Sequence, residues 1–266
     1  MKKLTFQALA LLLAVTAGFA QDNAPAVKES AGGNLFFAKA TLDLYSAYVW
    51  RGLVLNDEPV WQPGATVGAD LNDFGKLYLG TWSNFDATKR NGKTAFGGLN
   101  ELDFTAGYTV DLGDFSLGAG HRWYTFPKAN GPDYGGSTRE AFATLAYKND
   151  FVVPFIEGHY DYNVAEGVYS LVGLRKEVMV GDRLTVGAEV SVGGGSEGYT
   201  SFQFGGREGK MWLVDGNAAL LAKYDLTENI FIGARLAWMS LMDDRLKGAA
   251  HRDNILWGGI NLGVAF

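Results

Sequence analysis

The last fourteen residues, Asp253–Phe266, read DNILWGGINLGVAF and decide the fold. Alternate positions of this stretch carry apolar residues or glycine: Leu256, Gly258, Ile260, Leu262, Val264 and Phe266. Because alternate side chains of a strand point to the same side, one face is an apolar stripe that ends on an aromatic ring. Lipid covers such a stripe well, and in lipid the strand's backbone groups need partners within a closed barrel.

This ending is similar to the C-terminal signal of bacterial outer-membrane barrels, in which alternating apolar residues lead to a final aromatic residue. The resemblance implies two partners, which are outer-membrane lipid and the barrel-assembly machinery, the latter binding the strand that ends in Phe266. Soluble β proteins can also end in an apolar strand. The rest of the chain therefore has to supply further strands of the same kind.

The N-terminus predicts export. Lys2 and Lys3 precede the apolar stretch Leu4–Phe19, and small residues follow at the spacing of a cleavage site, which is typical of a secretory signal peptide. An uncleaved anchor helix is the alternative. We assign residues 1–20 to the signal peptide, 21–33 to a flexible lead and 34–266 to one barrel domain. No later run of about 18 apolar residues predicts a membrane-spanning helix.

Composition narrows the function. The formal net charge of -6 argues against a nucleic-acid partner. The absence of cysteine excludes disulfides, thiol catalysis and Cys-ligated metals. Thirty-six Gly and 14% aromatic residues, with only 6 Pro, favour many strands joined by tight turns.

About twelve segments alternate with a period of two. Arg183–Val192 is the clearest, with Leu184, Val186 and Val190 on one side and Arg183 and Glu189 on the other. In Lys210–Tyr224 the same pattern places Trp212 and Val214 on the apolar face. The prediction is an all-β fold, a closed antiparallel transmembrane β-barrel of about twelve strands in the outer membrane of a Gram-negative envelope.

The connections alternate in length. The tight ones are Asn72–Gly75, Leu112–Asp114, Asn149–Phe151, Val180–Asp182 and Asp225–Asn229. The longer ones, predicted as outer loops, are Val49–Glu58, Asp86–Gly98, Pro127–Ser137, Gly193–Gly209 and Met242–Arg252. Val164–Gly167 is the short exception. Short turns at one rim and longer loops at the other are typical of outer-membrane barrels.

Outward aromatic residues are predicted to form two belts around an aliphatic middle. The belt residues are Trp61, Tyr108, Phe115, Trp123, Tyr147, Tyr160, Trp212, Tyr224, Trp238 and Phe266. Belts of this kind mark the two interfaces of a membrane. A secreted β-sandwich or soluble barrel, the alternative, has no reason to sort its aromatic residues in this way.

The opposite face of the strands is predicted to line the lumen with charges of both signs. The lumen residues are Lys39, Asp43, Asp70, Glu101, Asp103, Arg122, Glu140, Lys148, Glu157, His159, Asp161, Arg175, Glu177, Arg183, Glu189, Asp215, Lys223 and Arg235. Barrels of about eight strands are filled by side chains and those of about sixteen hold a channel, so twelve lies between. We favour a narrow pore over an interior filled by salt bridges.

A family resemblance covers the first third of the mature chain. DLYSAYVWRGLVL (Asp43–Leu55) and YLGTWSN (Tyr78–Asn84) resemble the TorF family of porin-like proteins. The shared elements are the aromatic–Val–aromatic–Arg–Gly run at Tyr48–Gly52 and a Gly–x–Trp pattern at Gly80–Trp82. Leu53–Leu55 stand where polar residues are usual. The resemblance implies a barrel and a pore.

Arg51, within this run, is a candidate constriction residue. An ion pair with Asp57 or Glu58 that anchors the loop is the alternative.

The three histidines do not predict an enzyme. His121 falls on the lipid-facing side, His159 lies between Glu157 and Asp161 without a nearby Ser nucleophile, and His251 is in a loop. The spacing of Glu157, His159 and Asp161 is poor evidence for a metal site. We therefore assign no catalytic residue, metal site or cofactor.

The function predicted from these patterns is a porin-like barrel that lets small hydrophilic solutes diffuse across the outer membrane. The alternatives are a closed barrel that acts as a structural or interaction protein through its outer loops and, less favoured, a barrel-embedded hydrolase.

Overall fold

The computed structural model describes residues 35–88, 98–127, 136–205 and 212–266. The predicted signal peptide (1–20) and lead (21–33) lie outside these ranges. The strands are β1 (Phe36–Tyr45), β2 (Tyr48–Trp50), β3 (Leu53–Asn56), β4 (Val60–Asp70), β5 (Lys76–Asp86), β6 (Gly98–Leu112), β7 (Phe115–Thr125), β8 (Ser137–Tyr147), β9 (Val153–Asp161), β10 (Gly167–Val180), β11 (Leu184–Gly195), β12 (Trp212–Asp225), β13 (Ile230–Leu241) and β14 (Asn254–Ala265). The helices are α1 (Glu197–Gln203), α2 (Asp244–Lys247) and a 3-10 turn at Asn72–Phe74.

Twelve strands form a closed antiparallel barrel in which each strand pairs with its neighbours along the chain and β1 pairs with β14. The predicted barrel is confirmed. β2 and β3 pair only with each other, as a separate two-stranded sheet. Neither helix in the described ranges is long and apolar enough to span a membrane.

The β1–β14 seam closes the ring. The pairing runs from Lys39 opposite Ala265 to Tyr45 opposite Gly259. Beyond it, the amide of Ala38 donates to the carbonyl of Phe266 at 3.1 Å, and the amide of Phe266 donates to Ala38 at 2.9 Å. Because both borders are paired, no strand edge is left open along this seam.

The two faces of the wall differ as the alternation predicts. Val190, Leu220 and Ile260 face outward and are 51%, 59% and 60% exposed, whereas Glu189, next to Val190, faces inward and is 5% exposed. In lipid this arrangement places hydrocarbon against hydrocarbon and keeps the ionisable groups inside.

One side chain of the predicted apolar face has the opposite orientation. Val214 is fully buried, and so is its neighbour Asp215. The register between β11 and β12 shifts at Gly193 and Gly194, and these residues pair with Asp215 and Leu213. Val214 is the extra residue of this bulge and turns inward, so the predicted outward position is wrong.

The barrel has a turn end and a loop end. At the turn end, which also holds Phe36 and Phe266, Gly75, Gly113 and Gly181 have positive φ values of 85°, 61° and 66°. Non-glycine residues rarely adopt such values, so these glycines fit the predicted tight turns. The described parts of the longer connections lie at the loop end, and residues 89–97, 128–135 and 206–211 of the predicted outer loops lie outside the described ranges.

The first connection at the loop end was expected to be an outer loop, but Val49–Glu58 folds back into the barrel. Tyr48, Val49, Val54 and Asn56 are each at most 8% exposed. The physical reason is that apolar side chains of this stretch would face water in an outer loop, whereas in the lumen they pack against the wall.

Candidate solute pathway through the barrel

The structure places most of the residues predicted for the lumen on inward positions of the barrel strands. These are Lys39, Asp43, Asp70, Glu101, Asp103, Arg122, Glu140, Glu157, His159, Asp161, Arg175, Glu177, Glu189, Asp215, Lys223 and Arg235. Lys148 follows the last residue of β8 and pairs with Asp111 at 2.5 Å.

The structure differs from the prediction at Arg183. This residue lies in the turn before β11 and is exposed, and its guanidinium is 3.5 Å from the carbonyl oxygen of Leu226. The positive φ of Gly181 keeps the chain turning at this point. The strand therefore begins one residue later than the sequence alternation indicates.

Six aromatic rings lie against glycines on the inner wall. In each pair the aromatic residue and the glycine are direct cross-strand partners: Phe37 and Gly68, Tyr45 and Gly259, Tyr78 and Gly107, Phe142 and Gly120, Phe155 and Gly173, and Phe231 and Gly263. A Cβ on any of these glycines would overlap the ring. The rings consequently lie along the wall instead of projecting across the lumen.

Charged side chains in the turn-end half also stay close to the wall. The ammonium groups of Lys39 and Lys223 lie 5.7 and 5.4 Å from the ring centroid of Phe231. Lys223 pairs with Asp225 at 3.0 Å. The lining of this half is thus polar and of mixed sign.

The loop-end half of the lumen is occupied by the β2–β3 hairpin, residues Tyr48–Asn56. Val49 and Val54 pack in an apolar cluster with Ala219, Met239 and Trp257 of the wall. On the hairpin's other side, Trp50 and Leu53 pack against a second cluster, formed by Phe155, Tyr169, Leu171, Tyr199, Phe204, Val214, Leu241 and Leu246. Two apolar cores therefore hold the hairpin across the inside of the barrel.

Arg51, at the hairpin tip, makes an ion pair with β8. Its two terminal nitrogens donate to the Glu140 carboxylate at 2.6 and 2.9 Å. The guanidinium also lies 4.7 Å from the ring centroid of Trp50 and 5.1 Å from that of Tyr169. Two-point pairing fixes the orientation of the guanidinium as well as its position.

Asp57, the first proposed loop anchor for Arg51, has other partners. Its carboxylate accepts a hydrogen bond from Arg252 at 2.7 Å and lies 3.5 Å from His251. The hydrogen bond from Arg252 lowers the pKa of Asp57. This contact ties the base of the hairpin to the last loop.

Glu140 also has partners on the wall. The Nδ1 atom of His159 lies 3.0 Å from the Glu140 carboxylate, and the Tyr124 hydroxyl donates to it at 3.3 Å. The other ring nitrogen of His159 lies 3.3 Å from Glu157. Arg51 thus joins a network that already spans β7, β8 and β9.

Three more polar contacts fasten the hairpin near the wall of β5 and β6. The Tyr48 hydroxyl donates to Glu101 at 2.9 Å, and the Asn56 side chain donates to Asp86 at 2.6 Å. Glu58, just after the hairpin, accepts a hydrogen bond from the Thr88 hydroxyl.

Segments of two outer loops cover the hairpin tip. The Tyr199 hydroxyl of α1 donates to the backbone carbonyl of Arg51 at 3.0 Å. Phe204, which follows α1, and Leu246 of α2 are each 1% exposed within the same apolar cluster. The loop end of the described barrel is therefore narrowed by packed side chains.

Carboxylates outnumber cations among the buried groups. Among the described residues there are eight buried carboxylates: Glu58, Asp86, Glu101, Asp103, Glu140, Glu157, Glu189 and Asp215. The buried guanidinium groups are those of Arg51, Arg122 and Arg235. Burying a charge is costly unless it is paired. The three buried guanidinium groups therefore help to stabilise the buried carboxylates while the hairpin occupies the lumen.

The histidines occupy three different environments. His159 is in the lumen, His251 is beside Asp57, and His121 faces outward with its Nε2 atom 2.6 Å from the Tyr162 hydroxyl. Within the part of the chain that the structure describes, no cluster of three His or carboxylate groups has metal-binding geometry.

The predicted belt residues are distributed as follows. The outward and exposed ones are Phe115, Trp123, Tyr147, Tyr160, Tyr224, Trp238 and Phe266. Trp61 stacks on Phe85 with centroids 4.3 Å apart, and the Tyr108 hydroxyl donates to the carbonyl of Phe74. The side chain of Trp212 lies outside the described residues.

A closed barrel with an apolar outside and an ionisable inside defines the class of outer-membrane-type β-barrels. The family described as "Bacterial protein of unknown function (Gcw_chp)" matches residues 29–173, more than half of the chain. The chain belongs to this family. The matching family model does not carry the TorF name, so the similarity to the TorF family remains a prediction from the sequence. No curated protein matches the chain.

One solved barrel with a TM-score above 0.5 shares the fold at low sequence identity, and two further barrels are similar at lower TM-scores. The COG4313 outer membrane channel from Pseudomonas putida F1 is 11% identical, with a TM-score of 0.54 over 90% of this chain and 100% of that one. The NanC porin is 12% identical, with a TM-score of 0.48 over 86% and 98%. Outer membrane phospholipase A from Escherichia coli is 9% identical, with a TM-score of 0.47 over 85% and 92%.

Proposed function

We propose that this protein is an outer-membrane channel through which small hydrophilic solutes diffuse passively. The carrying observation is the combination of a closed ring, an apolar outer face and a turn-end half lined by charges that stay near the wall. The cross-strand glycines support the proposal, because they let the aromatic rings lie flat instead of filling the interior.

The outer membrane is the proposed location, with the turn end in the periplasm and the loop end outside. Outer-membrane lipid is the proposed surrounding, supported by the exposed aliphatic wall. The barrel-assembly machinery is the proposed partner of β14, whose terminal Phe266 is 68% exposed. Residues 1–20 are the proposed export signal.

We assign no catalytic role and no cofactor. His159, the centre of the hydrolase alternative, lies between Glu140 and Glu157, and neither neighbour is a nucleophile of the Ser–His type.

The second candidate function is a non-conducting barrel that acts as a structural or interaction protein through its outer loops. The observation that favours it is the pair of apolar clusters that hold the hairpin across the loop-end half.

Recordings on the purified full-length protein in a planar bilayer test the proposal. We expect discrete conductance steps. A silent bilayer containing folded protein, identified by its heat-dependent gel migration, would contradict free diffusion through the barrel and favour the second candidate, unless removal of the hairpin restores conductance.

A further inference from the structure

We infer that the β2–β3 hairpin is a displaceable plug that moves out of the loop-end half of the lumen as a rigid unit. The Arg51–Glu140 ion pair is its latch, the contact that holds the hairpin in the closed position. This inference rests on the proposed channel function and adds to it the means by which the channel is regulated. A plug of this kind lets the same barrel be closed and open without breaking its wall.

The wall is complete without the hairpin. β1 and β4 pair directly from Phe36 opposite Ala69 to Tyr45 opposite Val60, so their ladder ends where the hairpin begins. Within the described ranges, the two strands of the hairpin pair only with each other and not with a barrel strand. Moving it costs side-chain contacts but no hydrogen bond of the barrel sheet.

The hairpin's attachment points have room around them. Ser46 and Pro59, the residues through which it joins the wall, line an open pocket of about 520 Å³ together with Tyr45, Val60 and Ala87 and with the outward residues Leu44 and Trp61. The Ser46 amide donates to the Gly258 carbonyl at 2.9 Å, and the Pro59 carbonyl accepts from the Ala87 amide at 3.0 Å, so both attachment residues stay on the wall. A rigid hairpin would pivot on the short connections between these two residues and its strands, which can absorb the change in backbone angles.

The hairpin is held partly by polar contacts with the wall. A hairpin held in this way leaves the lumen more easily than one held by apolar packing alone. Glu101, Glu140 and Asp86 are shielded from water where Tyr48, Arg51 and Asn56 of the hairpin meet them. When the hairpin leaves, water reaches these carboxylates and replaces the lost partners. For buried ion pairs the attraction and the loss of hydration are of similar size, so such contacts close a plug without sealing it permanently.

Arg51 is the latch because it forms hydrogen bonds both with a barrel strand and with a helix of an outer loop. Its guanidinium holds Glu140 on β8, and its backbone carbonyl accepts from Tyr199 of α1. Its φ of 45°, followed by 84° at Gly52, forms the hairpin tip. The side chain that closes the plug therefore sits at the point farthest from the pivot.

A reversible disulfide tests the plug, because the protein has no cysteine of its own. A Cβ at Gly52 would lie 3.3 Å from the Cβ of Asp215 on β12, close to the separation in disulfides of roughly 3.5–4.5 Å. The same Cβ would lie 2.9 Å from Cγ1 of Val214, and Gly52 has a φ of 84°, so a cysteine there shifts the Val214 side chain and strains the backbone, and the G52C control measures that effect by itself. The G52C/D215C variant is recorded in a planar bilayer, first oxidised and then after reduction of the same sample. The two single-cysteine variants are the controls.

A deletion separates the plug from the pore. Residues 46–59 are replaced by Asn-Gly, since Tyr45 and Val60 are direct partners and a two-residue turn can join them. Heat-dependent gel migration checks the folding of both variants.

We expect a silent oxidised form, conductance steps after reduction and continuous conductance in the deletion variant. Equal conductance before and after reduction overturns the plug and leaves the channel function intact. If both redox forms are silent while the deletion variant conducts, the hairpin blocks but is not displaced, and the inference is wrong. If the folded deletion variant is silent too, the channel function itself fails.

Discussion

Arg51 and Glu140 lie 89 positions apart in the sequence and meet inside the barrel through two hydrogen bonds of 2.6 and 2.9 Å. Both side chains are almost fully buried. Removing one partner of such a pair costs about 3–5 kcal/mol, because the other charge is left without compensation. In this barrel the hairpin can move out of the lumen, so water can then hydrate the remaining charge and reduce that cost.

Arg51→Gln is therefore expected to loosen the hairpin while leaving the barrel folded. Hydrogen exchange of Tyr48–Asn56, measured by mass spectrometry, should accelerate at least tenfold, with little change in the barrel strands. Arg139→Gln is the matched control, since Arg139 is exposed on β8 next to Glu140. Unchanged exchange in Arg51→Gln would show that the apolar clusters alone hold the hairpin.

The glycines under aromatic rings predict a second result. Gly120→Ala is expected to destabilise the barrel by about 1–3 kcal/mol, because a Cβ there meets the Phe142 ring and the carbonyl of Ala106. Gly158→Ala, two strands away, has open space around its Cβ and should stay within about 0.5 kcal/mol of wild type. Urea unfolding in detergent or lipid measures both. Equal losses would refute the close packing of ring on glycine.

The orientation of the wall predicts a third result. Val190→Arg is expected to cost about 2–4 kcal/mol in lipid if Val190 lies near the bilayer midplane. Thr144→Arg is the lumen control, because Thr144 is an inward residue paired with Glu157. Folding yield into vesicles and reversible unfolding report the difference. A larger loss for the Thr144 variant would argue against lipid on the Val190 side.

The outward His121 depends on Tyr162. Their side chains lie 2.6 Å apart, and an unpaired imidazole facing lipid carries an unfavourable desolvation energy. Tyr162→Phe should thus destabilise the folded barrel by about 1–3 kcal/mol. Tyr160→Phe, which changes an outward ring on β9, the strand that ends just before Tyr162, should have a smaller effect. Unfolding in lipid compares the two, and an equal effect would mean that the hydrogen bond contributes little.

The Asp57–Arg252 contact predicts a response to acid. The pKa of Asp57 is lowered in the folded protein, so the contact is fully present above the ordinary Asp pKa of about 3.9 and is lost as the pH falls through the lowered value. Hydrogen exchange around Asp57, corrected for the intrinsic effect of pH, should show no loosening between about pH 8 and 5. The Asp57→Asn variant should show faster hydrogen exchange around residue 57, at the base of the hairpin, already at neutral pH. Loosening already at pH 5 would contradict the lowered pKa.

The barrel was predictable from local patterns. Most strands repeat the alternation seen in Leu184–Val192, although Lys76–Phe85 carries large residues on both faces. The tight turns carry Asn, Asp and Gly, so the ring of about twelve strands follows from periods of two and turn chemistry. These signals fail where one residue is added, as at the Val214 bulge, or where the turn extends one position further, as at Arg183.

The hairpin was not predictable as an internal element, because its partners are distant in sequence. Arg51 is joined to Glu140, and Val54 packs with Trp257, and no local pattern encodes either contact. One signal was present, since Leu53–Leu55 is apolar in a stretch expected to face water. An exposed loop has little reason to carry such a run, and the lumen buries Val54 and half-buries Leu53, while Leu55 stays 49% exposed.

The joining of Ala38 to Phe266 has a consequence for biogenesis. The two ends of the ring become neighbours only after every intervening strand exists, so this contact is among the most non-local that the chain makes. Until then, two unpaired strand edges and the apolar faces of the strands can associate with other newly made copies of the chain. Pairing of β1 with β14 removes both borders at once, so closure of the ring also ends the exposure of its edges to other chains.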